Sequence, residues 1–323
     1  MSDRRDWVDN LRAFAMLLVV IGHTSTAYNT LFAWISTVKM PLFFAISCYL
    51  LRENETRKPL EYLKDRARRL LIPYLAFSVA VIPIYIVFNL YHGWTLGSIL
   101  VWDLKATLRG DLIWYLPCLF LYELMVYAIR KIRPVWLQPA AYAAGTLLGY
   151  FLLRPYNARP WRFEIALYML PFALLGRVLA KKKGEKPFSW AEIAAVGAAA
   201  VALHVLQIRL NLFVVDVNRD LYANHALNMI TGLCGVAFLF MLFPRLPVTK
   251  LARWIGKNTL VIYVFHAYPA YLLGRLAIKI GLPSPSDNLL IMVAIVVICL
   301  LLCWIPIQLV DRFCPWMLGQ RKK

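Results

Sequence analysis

Charge is scarce in this chain. Its 323 residues include 17 Asp and Glu and 36 Lys and Arg, against an apolar content of 61%. Soluble domains run at about 45–50% apolar, so a globule exposed to water on all sides is excluded. The excess is spread along the whole length, which also excludes a soluble domain carried on one anchor. Metal-ligand spacing is lacking too. The six cysteines, Cys48, Cys118, Cys234, Cys299, Cys303 and Cys314, form no zinc pattern, and most lie in apolar stretches. They read as small buried hydrophobes rather than a disulfide framework. There is no Walker loop, no dinucleotide fingerprint and no HExxH, which excludes ATP hydrolysis by a familiar site and zincin chemistry. No internal repeat, low-complexity tract or second domain is visible. The first apolar segment has no small-residue cleavage pattern, so it is expected to be a retained span rather than a signal peptide.

What the chain has instead is a succession of apolar segments of membrane-spanning length, at about 10–29, 33–51, 70–90, 112–130, 135–153, 162–180, 189–207, 223–243, 258–276 and 289–310. Several carry internal prolines (Pro83, Pro117, Pro171, Pro269, Pro306), which span interiors tolerate where neighbours satisfy the freed carbonyls. The expected fold class is all-α: a polytopic membrane helical bundle of about ten transmembrane helices, forming one domain over residues 1–323. An even number of spans puts both termini on one side. Alternate connections hold 26 Lys and Arg on that side and 10 on the other, which assigns both termini to the cytoplasm. The formal charge of +19 is therefore a topology signal, with attraction to anionic lipid headgroups second, and not a nucleic-acid footprint. The compact positive-inside design points to a bacterial inner or plasma membrane.

Three connecting stretches stand out. In residues 52–69 a short helix is expected from Pro59, with Arg66 and Arg69 on one face, where they can clamp a phosphate or simply anchor the third span. Residues 91–111 and 208–224 (with Asp216, Arg219, Asp220 and Asn224) mix aromatics, carboxylates and amides, as carbohydrate sites do and as interfacial aromatic belts also do.

Ionisable groups within apolar segments carry the chemistry, because at membrane depth they face a protein interior, a wet cavity or a substrate path. Arg12 and His23 lie eleven residues apart in WVDNLRAFAMLLVVIGHT, so on a helix they share a face at a separation of roughly 16 Å. Asp9 lies on nearly the same face and can pair with Arg12. Thr24, Ser25 and Thr26 make the end beyond His23 polar. A neutral imidazole takes a proton from a hydroxyl and its charged form returns one, so His23 is the expected general base. His266, in NTLVIYVFHAYP, falls at a similar depth, with Tyr263 on its face and Pro269 just beyond. The two histidines can line one cavity, and Asn258 and Thr259 at the cytoplasmic mouth of the same helix can meet an incoming ligand. Glu123 stands in the middle of the fourth segment and must be protonated or paired, with Arg12, Arg66 or Arg69 as partners; a structural ion pair supporting a donor site is the favoured reading. Trp114 and Tyr115, beside Asp111 at the outer end of that segment, are candidate acceptor contacts. Ser47, in PLFFAISCYLL, has no local base and reads as a packing residue.

The ordered set RDWVDNLRAFAMLLVVIGH (Arg5 to His23), FFAIS before Cys48, the Arg66 and Arg69 pair, Trp114–Leu116 with Glu123 following, and GKNTLVIYVFH ending in His266 resembles the membrane-bound acyltransferase family 3. Two features depart from that pattern: Cys48 stands where a glycine is usual, and no SGNH-type extracytoplasmic domain follows. Transfer is therefore expected to finish within the membrane domain or to pass an acyl group to a separate partner. The resemblance implies transfer of a small acyl group, most often acetyl, from cytoplasmic acyl-CoA to a hydroxyl of a carbohydrate or surface glycoconjugate, without a metal. It implies donor-phosphate contacts at Arg12, Arg66 and Arg69 and a catalytic role for His23. A pantetheine arm reaches roughly 15–20 Å, comparable to the distance from Arg12 to His23. On this reading His23 deprotonates the acceptor, which attacks the thioester, and His266 or Tyr263 donates a hydrogen bond to the oxyanion; a covalent acyl-histidine or acyl-serine is the lesser route. The rival readings are a carrier of polar metabolites and an acyltransferase with an amine or lipid-headgroup acceptor. Residues 1–160 and 161–323 show none of the paired-half symmetry frequent in carriers. The acceptor, the acyl length, the oligomeric state and any dedicated partner protein are not specified.

Overall fold

The computed structural model describes residues 6–24, 30–51, 57–155, 159–181, 187–212 and 214–319. Arg5 of the amino-terminal motif, and Ser25 and Thr26 beyond His23, lie outside the described residues. The helices are α1 (Asp6–Ile21), α2 (Thr30–Leu50), α3 (Pro59–Ala80), α4 (Ile82–Tyr91), α5 (Leu96–Arg109), α6 (Tyr115–Lys131), α7 (Leu137–Leu152), α8 (Phe163–Tyr168), α9 (Leu170–Lys181), α10 (Trp190–Arg209), α11 (His225–Leu242), α12 (Lys250–Lys257), α13 (Thr259–Phe265), α14 (Ala267–Lys279) and α15 (Leu289–Phe313). A two-residue antiparallel ladder, β1 (Val215–Asp216) with β2 (Leu221–Tyr222), pairs Val215 with Tyr222 and Asp216 with Leu221. Contacts group the chain into two compact units. The first comprises Met1–Leu51, Phe172–Val217 and Leu221–Gln308, and the second Arg52–Pro171, Asn218–Asp220 and Leu309–Lys323.

Among the described residues each apolar segment meets a helix or a pair of consecutive helices; residues 25–29 of the first segment lie outside the described residues. Among the described residues five helices are long and apolar enough to cross a membrane: Phe32–Leu50, Pro59–Leu90, Trp190–Arg209, His225–Arg245 and Leu289–Phe313. The bent pairs Pro160–Tyr168 with Leu170–Lys181 (57°) and Thr259–Phe265 with Ala267–Lys279 (49°) raise the number to seven. Proline accounts for both bends: Pro171 cannot donate to the carbonyl of Leu167, nor Pro269 to that of Phe265, so the helix turns at Met169 and at His266. The remaining segments lie on α1, α6 and α7, of 16, 17 and 16 residues. Along α15 the outward side chains are apolar, with Leu290 81% and Leu301 67% exposed, a surface suited to lipid rather than water.

Three local readings change. Pro59 occupies the first turn of α3, where its missing N–H is not needed, and the helix runs on without a break past Pro73; Arg66 and Arg69 thus belong to the spanning helix itself, not to a separate short one. Residues 91–111 contain a helix, α5, started by the Thr95 hydroxyl accepting from the Ser98 N–H at 3.2 Å and ended by Gly110 at φ 81°. Its Ile99, Asp103 and Ala106 are buried while Leu100, Leu104 and Leu108 are exposed, so its periodicity is hidden by apolar residues on both faces. α1 ends at Ile21. After Gly22 the pattern tightens to three-residue bonds, His23 N–H to Val20 and Thr24 N–H to Ile21, both 3.0 Å, which puts His23 in a turn at the end of α1.

The first unit is built around α1. A Cβ on Gly256 of α12 would overlap the Asp9 carbonyl oxygen, and one on Gly274 of α14 would overlap that of Thr24. These helices therefore meet α1 backbone to backbone at both of its ends. Gly256→Ala is expected to cost about 2–3 kcal/mol, read as a lowered melting temperature in detergent, because backbone must move. Gly97→Ala, where nothing lies within 4 Å, should leave it unchanged.

In α5 the Asp103 carboxyl is 5% exposed, Oδ1 has no partner among the described residues, and burial raises its pKa. A raised carboxyl pKa adds stability below the unfolded value and loses it as pH rises through the folded one. Asp103→Asn should therefore be at least as stable as the wild type at pH 7, and should gain less than the wild type on acidification towards pH 4.5, in melts compared across pH.

Candidate functional site

In the first unit, the bend at Pro269 places His266 between α13 and α14, 2% exposed. Its Nδ1 lies 2.9 Å from the carbonyl oxygens of both Ile262 and Tyr263. Carbonyls only accept, so Nδ1 carries the proton, and in the neutral ring Nε2 is left with its lone pair. That Nε2 is buried without a hydrogen-bond partner among the described residues. The His23 ring, exposed in its turn, meets the His266 ring edge to face, with centroids 4.8 Å apart and planes at 74°. Tyr263 is tilted against His266 at 6.2 Å. The Cys299 thiol donates to the His266 carbonyl at 3.4 Å, fixing the bend from α15.

At the other end of α1, buried Asp9 stands 3.7 Å from Arg12, whose side chain is 35% exposed. Asn258 ends α12 and leads into α13, with Nδ2 donating to the Trp254 carbonyl at 2.9 Å, and Thr259 is the first residue of α13. Ser47 is half-buried in α2. One residue that was not singled out from the sequence belongs here. Lys39 lies midway along α2, and its amine occupies the space a Gly22 side chain would fill, 2.6 Å from the ideal Cβ position. It is close enough to His266 and to Asp216 of β1 for their charges to interact. Its signal in the sequence was a lone lysine within an apolar window.

In the second unit, Arg66 meets Glu123 at 3.1 Å and Asp65 at 3.3 Å, with side chains 15% (Arg66) and 6% (Glu123) exposed. Arg66, one of the arginines considered as partners for Glu123, is in contact with it. Asp65 also binds Arg57 at 2.8 Å and Arg69 at 3.0 Å. The Tyr62 ring lies 5.1 Å below both Arg57 and Arg66 and stacks on Tyr127 at 4.2 Å. Three guanidiniums against two carboxylates leave a net positive cluster, whose most open member is Arg69 at 61% side-chain exposure. Asp111 lies 3.3 Å from Arg109 and 3.5 Å from Arg162; Trp114 is 9% exposed and meets Tyr115 edge-on at 6.0 Å. Arg162 and its neighbour Trp161 hold left-handed backbone, at φ 53° and 58°. The following helix buries Glu164 completely. Neither Arg162 nor Glu164 was singled out from the sequence, since each stands in an ordinary run of interfacial charge.

Glu123→Ala should cost about 1.5–3 kcal/mol by taking from Arg66 one of its two carboxylate partners, and the double variant with Arg66→Ala should recover part of it in a thermal-melt cycle. Additive losses would mean that the pair does not support the unit.

A family model described as the acyltransferase domain matches residues 5–307, spanning nearly the whole chain. No curated protein and no solved structure matches it.

Proposed function

The chain belongs to acyltransferase family 3, and on that premise we propose that it moves a small acyl group, acetyl in the first instance, from acyl-CoA to a hydroxyl of a carbohydrate or surface glycoconjugate. The observation that carries the reading is the histidine pair: His23 at an exposed turn, edge-on to a buried His266 whose Nε2 is open. His23 takes the proton of the acceptor hydroxyl, the oxygen attacks the thioester carbonyl, and CoA leaves as thiolate. With Nδ1–H held by two carbonyls, neutral His266 offers an acceptor to the reaction, so its part is to orient or relieve His23 rather than to donate to the oxyanion. Tyr263 stays a candidate donor, and Asn258 and Thr259 candidate donor-substrate contacts. Arg12 meets donor phosphate in the first unit, and Arg69, with Arg66 held by Glu123, is assigned the same chemistry in the second.

The topology that goes with this function has ten spans: the seven long or bent ones together with α1, α6 and α7. Both termini are cytoplasmic, in a bacterial inner or plasma membrane, with the chain acting as a single acyltransferase domain. Asp111, Trp114 and Tyr115 are assigned to the acceptor.

Purified protein given acetyl-CoA and a panel of sugar, amine and lipid-headgroup acceptors should release free thiol with the hydroxyl compounds. His23→Ala should lower that release by about 10²–10⁴-fold at unchanged melting temperature. Thiol release undiminished in His23→Ala would defeat the assignment.

A further inference from the structure

Acyl transfer needs two things of its site: a proton acceptor for the nucleophile, and a donor aimed at the carbonyl oxygen as it gains charge. The histidine pair answers the first need. The tautomer of His266 removes that ring as the second, since its one N–H is already spent on the carbonyls of Ile262 and Tyr263. The same unit brings a lysine to this place. Lys39 projects from the middle of α2, and its amine rests in the notch left by the missing side chain of Gly22, the residue immediately before His23. α2 packs against β1, whose Asp216 carboxylate acts on the amine, and the amine in turn acts on His266. An ammonium has three donors and no acceptor, which is the complement of an oxyanion.

We propose that Lys39 is the oxyanion donor of the acyl transfer, a role that rests on the reaction assigned above. The acceptor oxygen forms its bond to the thioester carbon as its proton passes to His23. The carbonyl π pair moves onto oxygen and is held by the Lys39 ammonium. Collapse re-forms the carbonyl and breaks the carbon–sulfur bond, and the thiolate takes the proton back from His23 or from water, leaving an ester and CoA thiol. The lysine keeps all its protons and forms no covalent bond. Asp216 balances the ammonium through the cycle. Gly22 is glycine because a methyl group there would push the amine out of place.

The test uses the full chain in detergent, with acetyl-CoA as donor and the best hydroxyl acceptor, and compares wild type, His23→Ala, Lys39→Met and Gly22→Ala. Lys39→Met should lower kcat by about 10²–10³-fold with donor KM changed less than about twofold, the signature of a contact made in the transition state. Gly22→Ala, which keeps the charge but displaces it, should lower kcat at least about tenfold at an unchanged melting temperature, and it answers the question should Lys39→Met fail to fold. If His23→Ala is inactive while Lys39→Met or Gly22→Ala keeps kcat within about threefold of the wild type, the lysine has no such role and the acyl-transfer reading stands. A Lys39→Met protein that melts lower but turns over normally per folded molecule would make the lysine a structural partner of Asp216 and overturn the proposal. Full activity in His23→Ala would instead bring down the base assignment on which both depend.

Discussion

The arrangement of the first unit hangs on two places where backbone touches backbone: Gly256 against Asp9 at the start of α1, and Gly274 against Thr24 just past its end. Between side chains such contacts are elastic, but between main chains they fix position to a fraction of an ångström. The segment from α12 to α14 is pinned to α1 at both points, and His266 lies between the pins. Its ring therefore has little choice but to face the end of α1 that carries His23, and the 4.8 Å separation of the two rings follows from packing rather than from attraction between imidazoles. The bend at Pro269 does the rest, turning the His266 Nδ1 back onto the carbonyls of its own helix.

In the second unit, arginines gather around shared carboxylates. Asp65 is shared by Arg57, Arg66 and Arg69, and the Glu123 carboxylate meets Arg66, while the Tyr62 hydroxyl donates to the Glu123 backbone carbonyl. Such a network adds little net energy but is costly to break, and it holds α3 to α6. In the first unit valence is left open: the buried Nε2 of His266 has no partner among the described residues, at a place where an unmet acceptor costs about 1–3 kcal/mol. A native fold tolerates that where a substrate group completes it.

Much of this was legible in the sequence, for physical reasons. Apolar length marked the five long helices and the two bent pairs that are apolar enough to cross a membrane, because lipid leaves the backbone no alternative to internal hydrogen bonding. Glu123 announced a partner because a bare carboxylate has no place at that depth, and the equal depth of His23 and His266 follows from residue spacing alone. Lys39 was hidden. It stands as a lone charge within the apolar segment 33–51, and the space beside Gly22 that receives its amine does not show in the sequence. α5 was hidden because its two faces are both apolar, so no helical period stands out. The tautomer of His266 could not be read either, since it depends on which carbonyls a bent helix turns towards the ring. The left-handed pair Trp161 and Arg162 leaves no mark in a sequence without glycine there.

Taken together, these groups favour direct transfer over a covalent relay. A serine or histidine relay needs a nucleophile activated by its own base and then freed by water or acceptor. Ser47, half-buried in α2, stands on a face packed for helix contact, and acylation of a lysine would give an amide too stable to turn over. A base beside a fixed cation, by contrast, serves a single attack: the proton leaves the nucleophile on one side as negative charge builds on the carbonyl oxygen on the other. In apolar surroundings both effects strengthen, because little solvent remains to screen them. In the proposed mechanism the Lys39 amine already lies beside the turn that carries His23, in the space left open at Gly22.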